Sequence, residues 1–103
     1  MITALIQIKL PEPMARDKAQ ALFAGTAPKY RDVKGLIRKY YLLSEDGATA
    51  GGVYLWESRE AAAKLYTDDW HAFIMQKYGT EPSVTYFESP VIVDNLVGQI
   101  IMD

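Results

Sequence analysis

The sequence predicts an α+β domain: one antiparallel sheet with its helices gathered on a single face. Three observations predict it. Residues 2–10 alternate in the way a strand does. Two aromatic-rich runs, 35–44 and 50–57, flank the turn signal Glu45-Asp46-Gly47 and read as a hairpin. Helical spacing of apolar residues follows the first strand and again follows the hairpin.

In the first strand Ile2, Ala4, Ile6, Ile8 and Leu10 share one face, and Thr3, Leu5, Gln7 and Lys9 the other. Pro11-Glu12-Pro13 ends it, and Pro13 suits the first position of a helix. Ala15, Ala19, Leu22, Phe23 and Ala27 then recur at helical spacing. Gly25 and Pro28 weaken the end of that helix and predict a break or kink between them, with Tyr30 packing on the same side. The second strand carries apolar residues at both parities, Leu36 and Leu42 on one face and Ile37, Tyr41 and Leu43 on the other. In the third, Val53, Tyr54, Leu55 and Trp56 are types that a packed, pleated surface favours. The Gly51-Gly52 pair predicts a bulge or a close approach to backbone. Ser58 caps a helix running through Ala61, Ala62, Leu65 and Tyr66, and Thr67-Asp68-Asp69 recaps and restarts it. Trp70, Phe73, Ile74 and Tyr78 continue the apolar stripe to Gly79, which fits the position past a helix end. Residues 82–94 read as a long fourth strand broken by Pro90. The tail 96–103 alternates weakly and is read as a short edge strand or a loose end of a single domain spanning 1–103.

The resulting order, β-α-β-β-α-β, is the ferredoxin-like arrangement: a four-stranded antiparallel sheet with both helices on one face. Such a sheet leaves its other face bare. A strand with one wet face alternates cleanly, and strands 36–43 and 53–56 do not. A second copy of the chain is the simplest cover, so a homodimer is expected.

Bulk properties narrow the function. The 103 residues are half hydrophobic, with 11 basic and 13 acidic side chains. That near balance argues against nucleic acid or an anionic membrane as partner. The absence of cysteine excludes disulfides, thiolate metal sites and cysteine nucleophiles. The start has no basic segment or cleavage site of a signal peptide, and no apolar run approaches a membrane span, so a cytoplasmic location is expected. With one histidine and no nucleotide loop, neither metal nor flavin is expected.

Several residues are candidates for chemistry. His71, the only histidine, is the natural general base near neutral pH, against the alternative of a helix-surface or subunit-contact residue. Arg38 and Lys39 occupy adjacent strand positions and hence opposite faces. One can hold an anionic ligand oxygen while the other serves the rim or dimer face, and Arg38 is taken as a candidate catalytic residue. Tyr41, Tyr54, Trp56, Tyr66, Trp70 and Tyr86 are aromatics with polar tips, suited to lining a mostly apolar substrate cavity or to plain core packing. The cavity is expected between the sheet and the second helix, near Trp56, Tyr66 and Trp70, where Gly51-Gly52 removes bulk. The Asp68-Asp69 pair is better explained by helix capping than by catalysis.

The runs Gly35-Leu-Ile-Arg-Lys-Tyr-Tyr-Leu and Ala50-Gly-Gly-Val-Tyr-Leu-Trp-Glu-Ser-Arg-Glu-Ala-Ala resemble those of the YdhR-like mono-oxygenases, as do Trp70, Lys77-Tyr78-Gly79 and Tyr86-Phe87-Glu88-Ser89-Pro90-Val91. The resemblance covers roughly residues 2–95. It implies the dimeric α+β barrel superfamily, beside the antibiotic-biosynthesis monooxygenases: a homodimer whose two sheets form a barrel, with a pocket between sheet and helices in each subunit. Some relatives oxidise aromatic polyketides with no metal or flavin, others degrade haem, and others bind or isomerise small molecules. The haem-degrading branch fits poorly. Its register places Leu65 and Met75 where an Asp-Trp pair and a haem-ligating histidine belong, and Gln7 at its first-strand asparagine. The expected function is a cofactor-independent monooxygenase acting on a small aromatic or enolisable compound. The alternative is a non-catalytic homodimer that binds a small molecule.

Overall fold

A computed structural model describes residues 1–103. The elements are β1 (Ile2–Lys9), α1 (Arg16–Tyr30), β2 (Leu36–Leu43), β3 (Thr49–Trp56), α2 (Arg59–Leu65), α3 (Asp68–Tyr78), β4 (Ser83–Glu88), β5 (Val91–Asp94) and β6 (Gln99–Met102). The first four long strands form an antiparallel sheet in the order β2-β3-β1-β4. This is the ferredoxin-like α+β fold.

The core lies where the helices meet the sheet. Ala4, Ile6 and Ile8 of β1 and Ala50, Tyr54 and Trp56 of β3 are buried on the inner face, and Ala62, Trp70 and Ile74 close it from the helix side. Even-numbered residues of both strands therefore point inward, as period-two geometry requires of two paired strands. The outer face is half-covered. Tyr40, Leu42 and Phe87 remain exposed on it.

Several local expectations are corrected. Pro13 does not start α1, which begins at Arg16 behind an uncapped Ala15. Residues 10–14 are tied instead to the β2–β3 turn, because Leu10 N–H donates to Ala48 O and Met14 N–H donates to Gly47 O. These bonds hold the segment alongside the turn. No break separates Gly25 from Pro28. The helix continues through Pro28 to Tyr30. Pro28 offers no N–H to the Ala24 carbonyl, and Arg31 N–H closes the last turn onto Pro28 O.

The bulge lies in β2. Leu36 pairs with Trp56, but Arg38 pairs with Leu55, so Ile37 is the extra residue. This slip puts Leu36 on the same inner face as Tyr41 and Leu43, and leaves Leu42 outside, contrary to simple parity. Gly51 and Gly52 lie in regular ladder positions, and close approach is their role. A Cβ on Gly52 would stand 3.0 Å from Tyr40 O, 3.1 Å from a Tyr54 ring carbon and 3.5 Å from Lys39 Cε.

The two-part second helix is as expected. Ser58 Oγ accepts from Ala61 N–H, and Thr67 Oγ1 accepts from Trp70 N–H. Asp68 and Asp69 occupy the first turn, where their charge complements the helix dipole; the cap itself is Thr67. Gly79 ends α3 at φ 85°. Beyond β4 the chain turns at Pro90, and β5 pairs with β6 as a hairpin, so the tail residues 99–102 form a strand.

Candidate functional site

The sheet's inner face carries a chain of aromatic rings. Tyr54 and Trp56 stack nearly parallel, with ring centroids 6.2 Å apart. Tyr66 meets Tyr54, Trp56, Trp70 and Tyr86 edge-on. Trp56 Nε1–H donates to Tyr66 Oη at 3.0 Å, and Trp70 Nε1–H donates to Tyr30 Oη at 3.1 Å. Five of the six aromatics expected to line a cavity thus come together, and Tyr41 reaches them through the edge of Tyr30. Near Trp56, Tyr66 and Trp70, however, they fill the space. Trp56 is 0% exposed and Trp70 4%. The cavity expected there is closed by rings satisfied by their own hydrogen bonds.

The open space lies one strand further along, between α1 and β2. Here Tyr41 stacks on Phe23 at 4.8 Å and shares a 2.7 Å hydrogen bond with Thr26 Oγ1. On either side of this Phe23–Tyr41 contact is a groove. One, of about 660 Å³, is lined by Ala24, Ala27, Tyr30, Leu36, Lys39 and Tyr41. The other, of about 670 Å³, runs past Ala19, Phe23, Tyr41 and Leu43 to the β2–β3 turn. Both are large enough for a small ligand. They exist because α1 presents small residues to β2 at Ala19, Ala24 and Ala27, and β2 is the edge strand. Beneath them a void of about 20 Å³ reaches Tyr54, Trp70, Phe73 and Ile74.

Lys39 stands at the junction of void and groove. It pairs in register with Tyr54, which fixes it on the inner face, while Arg38 pairs with Leu55 and points outward. The inward member of the Arg38–Lys39 pair is therefore Lys39. The exposed Arg38 donates to Tyr40 Oη at 3.2 Å and meets Asp94 at 3.4 Å, bracing the β5 hairpin against the sheet. Lys39 Nζ lies 3.3 Å from the ring centroid of Tyr30, 3.7 Å from Tyr41 and 4.6 Å from Tyr54. No carboxylate pairs with it. Burial, with a smaller push from the Lys29 charge, lowers its pKa to about 7. The phenols move the other way: burial raises Tyr41, Tyr54 and Tyr66, and pushes Tyr78 up to about 12.

His71 sits half-buried on α3, its ring edge-on to Trp70 at 5.1 Å, and does not line the grooves or the void. Sequence reasoning did not single out Tyr30 or Phe23, and of the Arg38–Lys39 pair it chose Arg38. The available signal for Lys39 was its two-residue spacing from Tyr41, which puts both on one face of β2 beyond the bulge at Ile37. No three His, Cys, Asp or Glu side chains converge into a metal-binding set. No helix is long and apolar enough to cross a membrane.

The family model described as "Putative mono-oxygenase ydhR" matches residues 5–88. No curated protein sequence matches the chain. Among solved structures, the fold is shared with a monooxygenase from the gene ActVA-Orf6 of Streptomyces coelicolor in complex with nanaomycin D. That match has a TM-score of 0.65 and 20% identity, covering 85% of this chain and 86% of that one. It is shared also with a variant of SnoaB, a cofactor-independent oxygenase from Streptomyces nogalater, at a TM-score of 0.62 and 17% identity over 85% and 91% of the two chains. Rv0793 from Mycobacterium tuberculosis matches with a TM-score of 0.60 and 20% identity over 86% and 95%.

Proposed function

Since this chain belongs to the ydhR mono-oxygenase family, we propose that it is a cofactor-independent monooxygenase. Its substrate is a small aromatic or enolisable compound held in the groove between α1 and β2. The observation that carries this reading is Lys39: an inward-facing amine without a counter-ion, set among tyrosine rings at the wall of a ligand-sized groove. The solved relative bound to nanaomycin D and the cofactor-independent oxygenase SnoaB support it by analogy of fold.

The chemistry follows from the pairing of amine and rings. A phenol or enol lies in the groove beside Tyr41, with its hydroxyl toward Lys39 Nζ. With a pKa of about 7, Lys39 is substantially neutral at neutral pH and accepts that proton; the ammonium so formed holds the oxyanion. The electron-rich anion passes an electron to dioxygen, and the pair recombines at the activated carbon. One oxygen atom stays on carbon as a carbonyl. The second leaves as water with the two hydrogens that the carbon gives up, so a CH₂ group becomes C=O while dioxygen takes four electrons. The protein supplies orientation. Burial raises the Tyr54 pKa, so its hydroxyl stays protonated behind the groove.

The assembly proposed is a homodimer through the outer sheet face. Exposed Tyr40, Leu42 and Phe87 on that face, with Val91 and Val93 of the hairpin beside it, form the apolar surface that a second copy would cover.

The test is oxygen uptake with a panel of anthrones, naphthols and cyclic 1,3-diketones, with product mass measured by chromatography. Protein-dependent uptake with insertion of one oxygen atom, lost in Lys39→Met, is the expected result. Tight binding of the same compounds without uptake would replace the enzyme by the small-molecule binder.

A further inference from the structure

Lys39 has a property that proton transfer does not use up. Its amine is a nucleophile whenever it is neutral; it has no carboxylate partner, and the residue lines an open groove. The stem passes over Gly52, with Lys39 Cε 3.5 Å from where a Cβ would stand. Tyr30, Tyr41 and Tyr54 surround Nζ on three elements' worth of rings but supply no carboxylate. The open groove gives a small molecule a route to it. The charges near that route are mainly positive. Lys29 of α1 acts electrostatically on Lys39, Lys77 of α3 lines the same void, and Arg31 lines the groove beside Asp32, while Arg38 at its rim is paired with Asp94. Tyr78 also lines the void, and β1 contributes only Ile6 and Ile8.

The geometry points to a covalent carbonyl site: the Lys39 amine condenses with a small aldehyde or ketone bearing a carboxylate, whose charge the surrounding lysines and arginines attract. The nitrogen lone pair adds to the carbonyl carbon, and the C=O π pair moves to oxygen. Proton transfer from nitrogen to that oxygen gives a carbinolamine. Its hydroxyl leaves as water as the C=N bond forms, with no net oxidation or reduction. The tyrosine rings shelter the imine from bulk water, and the cationic form of the imine takes the place of the ammonium over the Tyr30 ring. This activity goes beyond the oxygenase reading and requires no dioxygen.

The test traps the imine. The full-length protein is incubated anaerobically with pyruvate, and separately with acetone, in the presence of sodium cyanoborohydride as the hydride source. Intact mass and peptide mapping then locate the adduct. The expected result is one adduct per chain, at Lys39, several-fold over every other lysine and stronger with pyruvate than with acetone. Labelling at Lys39 should already be substantial between about pH 7 and pH 8, where ordinary lysines remain protonated. Lys39→Arg should remove the adduct while circular dichroism stays unchanged. If that variant misfolds, the map of the native chain still decides. Uniform labelling of the lysines, or an unlabelled Lys39, overturns the proposal; equal labelling by acetone overturns its carboxylate requirement. The oxygenase reading stands or falls separately, on oxygen uptake.

Discussion

Lys39 Nζ sits 3.3 Å above the ring of Tyr30, and that same Tyr30 hydroxyl accepts the indole N–H of Trp70 from its far end. A buried core contact and an openable groove thus meet on one side chain. Tyr30 belongs to the packed interior through its hydroxyl and to the candidate site through its face.

The first consequence is pH-dependent stability. Lys39 has its folded pKa lowered to about 7 from an ordinary value of 10.5, chiefly by burial. Between those values the unfolded chain binds the extra proton, so stability rises with pH across that window; below pH 7 the folded protein carries the full cost of a charged, poorly solvated ammonium. Partial exposure of the group screens the effect to about 2 kcal/mol. Urea denaturation of the wild type should therefore gain on Lys39→Met by about that amount as pH rises from roughly 7 to 10. Parallel curves for the two proteins would show that Lys39 titrates normally.

The second concerns Tyr30. In Tyr30→Phe the buried Trp70 N–H loses its acceptor while the ring stays, so the expected loss is about 1–3 kcal/mol in urea. Trp70→Ala, which empties a site only 4% exposed, should cost about 3–5 kcal/mol. A Tyr30→Phe protein as stable as the wild type would show that the indole finds water.

These two residues also mark where the sequence was readable. Trp56, Trp70 and Ile74 declare themselves by type and spacing: large apolar groups at strand and helix periods go inward, and they do. The caps at Ser58 and Thr67 are equally local. Lys39 is different. Its spacing puts it on the face of Tyr41, but the extra residue at Ile37, a pairing event between strands, sets Leu36 on that face too and hides which side of β2 is inner. The location of open space is harder still. It depends on how small Ala19, Ala24 and Ala27 are relative to Phe23 and Tyr41 across a gap, a difference of volumes that no single segment encodes. The closure around Trp56 and Tyr66 is likewise a matter of fit between elements distant in sequence.

Gly52 provides the third prediction. Gly52→Ala places a methyl 3.0 Å from Tyr40 O and 3.1 Å from the Tyr54 ring, neither of which is free to retreat. The expected cost is about 1–3 kcal/mol by overpacking. The displaced Tyr54 ring, one wall around the Lys39 amine, should also shift that amine, read as a changed pKa by ¹⁵N-detected NMR. An alanine variant with unchanged Tm and unchanged Lys39 titration would show that the inner face yields easily there.

The last prediction addresses assembly. Tyr40 and Phe87 lie on the outer sheet face, 54% and 51% exposed in the single chain, so a charge at either should leave a lone protomer's stability nearly unaltered. If the outer face joins two copies, each substitution appears twice in a symmetric interface and buries two unpaired carboxylates. Phe87→Glu combined with Tyr40→Glu should therefore convert a dimer into a folded monomer in analytical ultracentrifugation at low micromolar concentration, with its circular dichroism retained. An obligate interface of this type buries about 2,000 Å² or more, which sets the dimer as the only species of the wild type at that concentration. A wild-type chain that sediments as a folded monomer would leave the outer face as a bare apolar surface and remove the barrel assembly.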